Sequence, residues 1–369
     1  MNHLALNHLK SFSRTGLTLL LLACGTVWAQ TQPILPLAPP TTSTVPSNGD
    51  VDPLGAVFAP AKLAAGFVLQ SHDLLISNFN NAENLQGTGT TLLRIDHNGL
   101  RSTFYQGPSS IGLAGLTGAI AVARAGVVFV GNLPTADGTA ATVQPGSLLV
   151  LDGNGNSLGS VSGTNLIDGP WGMAILDNGT SGHVFISNVL SGTIVRLDVA
   201  FPSPGAVTIT RGTVIGSGFN HRVDPAALVL GPSGLVFDAA NGTLYVASSA
   251  DNAIYALKGA ATTKTSLGTG TVAYQDSVHL HGPLQMAKAP NGDLLVANSD
   301  GSNADPNQPS EIVEFTITGQ FVSQFSIDAN NGGAASIALD LIGAGNQALR
   351  VATTDDNANS VTIFTKLIP

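Results

Sequence analysis

Apolar and polar positions along this chain do not follow a helical period. Short apolar runs stop at a small or amide residue and are separated by stretches rich in Gly, Ser, Thr and Asn. Six such runs recur: Leu74-Leu75-Ile76-Ser77-Asn78, Val127-Val128-Phe129-Val130-Gly131-Asn132, Val184-Phe185-Ile186-Ser187-Asn188, Leu244-Tyr245-Val246-Ala247-Ser248, Leu294-Leu295-Val296-Ala297-Asn298 and Leu349-Arg350-Val351-Ala352-Thr353. Continuous apolar runs of this length, bounded by turn residues, predict strands buried on both faces. Their last residues are spaced by 54, 56, 60, 50 and 55 positions, a mean of 55.

Each run has companions in a fixed order. Three are preceded by a Gly-Pro segment, at residues 169–175, 231–237 and 282–288, and residues 118–122 and 335–339 hold the same place in two others. A further strand follows each run, at residues 91–95, 147–151, 193–197, 253–257, 311–315 and 360–364. A weaker fourth can be drawn in most repeats, as at residues 206–215 and 321–327. Four strands in about 55 residues suit a propeller blade, so the expected fold is all-β, a six-bladed β-propeller of four-stranded antiparallel blades over residues 61–369. Small residues such as Gly131, Ala247, Ala297 and Ala352 would let blades approach near the axis. The sixth repeat lacks its outer strand, and residues 51–59 are expected to supply it, closing the ring with an N-terminal strand.

The repeats at residues 231–257 and 335–364 resemble the NHL-repeat family. The likeness covers residues 63–369, is good in four repeats and looser in the first two, and implies architecture more than chemistry. In that family a peptide-amidating lyase holds zinc through channel histidines. The senescence-marker and gluconolactonase propellers are similar in ring size and hold calcium through a Glu, two Asn and an Asp. The Asn that begins an inner strand there corresponds here to Trp171, Ser233 or Leu284, and the Asp after a second strand to Asn188, Ser248 or Asn298. A tight calcium site of that pattern lacks its charges here.

Composition narrows the picture. Charged residues make up 10% and Gly numbers 43 in 369 residues, a balance that suits turns and short strands rather than helical surfaces. A formal net charge of −9 with no basic stripe disfavours nucleic acid. The single cysteine, Cys24, lies outside the repeats, so the propeller holds neither a disulfide nor a cysteine metal site.

Residues 1–29 read as a secretory signal peptide. Lys10 and Arg14 precede a short apolar run, and Val27-Trp28-Ala29 offers a cleavage site before Gln30. The run is too short to span a bilayer. Leu21-Leu22-Ala23-Cys24-Gly25 also resembles a lipobox, which would leave the chain lipid-anchored through Cys24. Residues 30–60, with Pro at positions 33, 36, 39, 40, 46, 53 and 60, read as a linker. Export places the protein in the periplasm or outside the cell.

Candidate chemistry gathers on the face that carries the loops between second and third strands and the links between blades. Long loops at residues 79–90, 133–146 and 299–310 would form a rim there. His221, His279 and His281 precede inner strands and are expected to converge at the channel mouth with Asp168 and Arg222, where three imidazoles would hold zinc. Asp300, Asn303 and Asp305 offer oxygen ligands for calcium within one loop. Trp171 offers a stacking surface, and the amides Asn78, Asn132, Asn188 and Asn298 would face a ligand. No Gly-x-Ser-x-Gly, phosphate-binding Gly-rich or His-Glu-x-x-His signature is found. The expected function is that of a monomeric binding or scaffold protein, gripping a glycan, peptide or partner protein. The alternative is a metal-dependent lyase or hydrolase, lactonase-like chemistry included, run by the histidines with Asp168 and Arg222.

Overall fold

Six four-stranded antiparallel sheets are arranged in sequence around a ring. The structure, a computed structural model, describes residues 41–108, 113–163, 165–299, 311–328, 333–345 and 347–368. The leader, Cys24 and the loop residues Asp300, Asn303 and Asp305 lie outside them. The inner strands of blades one to six are Val51–Phe58, Leu116–Ala123, Pro170–Asp177, Pro232–Asp238, Pro283–Lys288 and Ala334–Ile342. Each contacts the next, and the sixth contacts the first. No helix long and apolar enough to cross a membrane occurs among the described residues.

The apolar runs are second strands, and their continuity has a direct cause. Leu74 and Ile76 pack against blade six, whereas Leu75 packs against blade two. A sheet buried between two neighbours needs apolar side chains on both faces. The outer strands, such as Arg101–Gln106 and Ser157–Val161, are largely exposed.

Closure does use an N-terminal strand, but not residues 51–59. Thr41–Ser43 pairs with Ser360–Leu367 and completes blade six. Val51–Phe58 instead pairs with Leu74–Asn80 as the inner strand of blade one. The physical reason is burial. Leu54, Phe58 and Ala59 are core residues, whereas Thr41–Ser43 is fully exposed and suits an outer edge. Pro53, which cannot donate to a ladder, is tolerated because it opens a bulge.

The same bulge recurs in every inner strand, between Pro53 and Gly55, Leu116 and Ile120, Pro170 and Gly172, Pro232 and Leu235, Pro283 and Met286, and Ala334 and Ser336. A bulge lets a strand re-aim a side chain. Here the bulged residues Leu54, Trp171, Leu284 and Ala335 form one apolar cluster at the axis. Bulged hydroxyls clasp the ring: Thr117 Oγ1 donates to the Pro170 carbonyl at 2.7 Å, and Ser233 Oγ to the Pro283 carbonyl at 2.7 Å. Ser77 and Ser187 make equivalent bonds to the next blade, and Ser336 Oγ accepts the Ala56 N–H across the closure.

Candidate axial binding site

The bulges open a pocket of about 240 Å³ at the loop-face end of the axis. Leu54, Trp171, Leu230 and Leu284 line it from the inner strands and their approaches. Phe79 adds its ring, edge-on to Trp171 with centroids 5.3 Å apart. Gln86 enters from the rim loop of blade one, which is tied to that of blade two by Thr135 Oγ1 donating to the Gln86 carbonyl at 2.5 Å.

A short hairpin, Arg222–Asp224 paired with Leu228–Leu230, overhangs one side. Its turn brings Ala226 and Ala227 to the pocket and is capped by Asp224, whose carboxylate accepts both alanine N–H groups at 3.0 and 3.1 Å. Leu228 holds a left-handed φ of 60°, an unusual state for a bulky side chain. Its burial in the axial cluster offsets that strain.

Gln285 marks the pocket's lower limit. It leaves blade five, lies against Gly118 of blade two and donates from Nε2 to the Trp171 carbonyl of blade three at 3.1 Å. Below it is a separate cavity of about 180 Å³.

Two carboxylates, Asp52 and Asp356, form the polar pole. Asp52 has φ 61°, fixed by its N–H donating to Asn359 Oδ1 at 2.7 Å across the closure. Oδ1 of both aspartates is buried without a hydrogen-bond partner. Burial pushes the Asp52 carboxyl up to about 7. Burial, then the charges of Asp52, Asp355 and Asp328, push Asp356 well above the carboxylate range. Asp355 rises to about 6, mainly through burial.

These shifts fix a pH response. A carboxyl whose value rises on folding contributes stability below its ordinary value near 4 and loses it as pH climbs through the raised one. The protein is therefore expected to melt lower at pH 8 than at pH 5, the loss running from near pH 4 up through about 6 for Asp355 and about 7 for Asp52. Asp356→Asn should remove part of that slope, leaving the shares of Asp52 and Asp355, and raise the melting temperature at pH 8 by roughly 2 to 5 °C. Melting scans of both proteins from pH 4 to 9 check this, and parallel curves would refute it.

Most residues singled out in the sequence do other work. His221 exposes its ring and donates from Nδ1 to the Phe219 carbonyl at 2.9 Å. His279 Nδ1 is paired with Asp276 at 2.7 Å, its ring stacked on Phe321. His281 is buried with Nε2 2.9 Å from the Val278 carbonyl. The expected convergence of the three does not form, because each imidazole is engaged by its own linking loop. Among the described residues no group of three His, Cys, Asp or Glu is placed to hold a metal. Arg222 is 55% exposed and paired with Asp224 at 3.4 Å. Neither it nor Asp168 lines the axial pocket.

The amides expected to face a ligand are instead fully buried. Asn78, Asn132, Asn188 and Asn298 each donate from Nδ2 to a carbonyl in the link that enters their own blade: Thr44, Ala114, Leu166 and His279. Each second strand thereby fixes the approach of its inner strand, a recurring staple that satisfies buried backbone groups. Trp171 does line the pocket, 4% exposed.

Sequence reasoning missed Asp52 and Asp356, which lie far apart in the chain. One signal was present. Asp355, beside Asp356, stands opposite the start of its inner strand, where the other blades place Asn78, Asn132, Asn188, Ser248 and Asn298.

No protein-family model matches the chain, and no curated protein matches it by sequence. Solved structures do resemble it in fold. A gluconolactonase from Xanthomonas campestris has a TM-score of 0.51 at 13% identity, covering 92% of this chain and 99% of its own. Virginiamycin B lyase from Staphylococcus aureus has a TM-score of 0.47 at 14% identity, covering 89% of this chain and 88% of its own.

Proposed function

We propose that this chain is an exported propeller, akin in its repeats to the NHL family, that binds a small ligand or the tip of a glycan or peptide in its axial pocket. The leader would direct export, with cleavage before Gln30 or lipid attachment at Cys24. One observation carries the binding reading. Four of the six inner-strand bulges turn apolar side chains onto one axial cluster, and two buried carboxylates stand at the edge of the cavity it walls. A concave apolar site with few polar groups is the usual form of a ligand pocket.

Trp171 provides the readout. Apart from Trp28 in the leader it is the only tryptophan in the chain, so emission from the mature protein reports the pocket. Glycan and peptide arrays are expected to yield binders that shift Trp171 emission. Ala227→Phe, which fills the pocket from the hairpin side, should weaken them at least tenfold. Binders indifferent to that substitution would place recognition elsewhere and defeat the proposal.

A second reading is a metal-dependent hydrolase or lyase. The partnerless oxygens of Asp52 and Asp356 favour it, since a divalent cation would satisfy both. Metal content of the purified mature protein separates the two: near-stoichiometric calcium or zinc lost on Asp356→Asn supports the enzyme, and metal-free folded protein supports binding.

A further inference from the structure

We infer that the axial pocket recognises an organic ammonium ion carrying an apolar body. This rests on the ligand-binding reading and names the chemistry of its ligand. Asp52 and Asp356, each with one buried oxygen that lacks a hydrogen-bond partner, line a cavity in which no Lys, Arg or His is among the described lining residues. Burying a carboxylate without a partner is costly, so such a pair takes either a proton or a cation. The other groups near Asp356 deepen the negative potential, because Asp355 and Asp328 add to Asp52.

The remainder of the wall decides which cation fits. A bare metal ion requires six or more oxygens for calcium, or several N, O or S ligands for zinc. The pocket instead continues from the two aspartates into Leu54, Phe79, Trp171 and Leu284. Asp355, the nearest additional carboxylate in sequence, spends an oxygen on the Ala358 N–H at 2.9 Å. An ammonium group needs only the carboxylate pole, and its hydrocarbon portion would bury against the aromatic pair. A net charge of −9 on the chain favours the approach of such a ligand.

The test compares phenethylamine, a cation at pH 8, with neutral 2-phenylethanol at the same pH. Binding is read by Trp171 emission and by calorimetry. Phenethylamine is expected to bind at least tenfold more tightly than phenylethanol. Asp356→Asn should erase that preference by weakening phenethylamine at least tenfold, and Asp52→Asn, a second isosteric change, should do the same. Equal affinity for the two probes overturns the ammonium inference but leaves the binding reading standing. Calcium or zinc chloride displacing phenethylamine at stoichiometric metal also overturns it, in favour of a metal site. Failure of both probes to perturb Trp171 counts against the pocket as a ligand site altogether.

Discussion

Gly172→Ala is expected to cost about 3 kcal/mol or more and to lower the melting temperature by roughly 5 to 10 °C. Gly172 closes the bulge in the inner strand of blade three. A Cβ there would lie 2.1 Å from the Ser233 carbonyl oxygen, 2.6 Å from its carbon and 2.9 Å from Gly234 Cα. All three atoms belong to the backbone of blade four, so no rotamer change relieves the clash. The two blades would have to separate, breaking the 2.6 Å bond from Ser187 Oγ to the same carbonyl. Gly234→Ala repeats the problem one blade on, 2.3 Å from the Leu284 carbonyl. Calorimetric melting of both variants checks the expectation. A loss below 1 kcal/mol in each would show that the inner ring yields more readily than its contacts indicate.

The second large effect is expected from starting the chain at Gly49. This removes Thr41–Ser43 and its three paired positions on Ser360–Leu367. It also removes the Thr44 N–H bond to the Asn359 carbonyl, the Asn78 bond to the Thr44 carbonyl and the Arg101 bond to the Ser43 carbonyl. Asp50, whose Oδ2 accepts the Thr90 N–H and the Thr91 hydroxyl, is retained. At about 1 kcal/mol for each bond lost, the truncation should cost roughly 3 to 5 kcal/mol. It would also leave Ser360–Leu367 as an unpaired edge open to aggregation. Denaturant unfolding and light scattering measure the two consequences. A truncated protein with an unchanged midpoint would mean that blade six holds without its fourth strand.

What could be read from the sequence follows the physics of each element. The second and third strands are buried on both faces, so their apolar runs declared the repeat and with it the ring. The inner strand of blade one, Val51–Phe58, hid behind Pro53 and Gly55 in a proline-rich stretch, because a bulge tolerates residues that a regular strand excludes. Thr41–Ser43 carries no apolar residue at all, and its pairing depends on an edge left open by the far end of the chain. The histidines do not converge for a related reason. Loop order placed them in comparable links, but each ring found a carbonyl or carboxylate within its own link. Asp52 and Asp356 meet only through closure, and nothing local in either neighbourhood announces the other.

That closure also constrains how the molecule is made. The bond from the Asp52 N–H to Asn359 spans 307 positions, and Thr41 pairs with Thr362. During synthesis blades one to five can assemble from local hairpins as they emerge. The first residues of the ring must wait, unpaired, until nearly the whole chain exists. Contacts of such high order are slow to form, and their entropy is committed in the last step. The pocket's acidic pole is assembled in that same step, so a nascent chain would carry five good blades and an axial pocket without its second carboxylate.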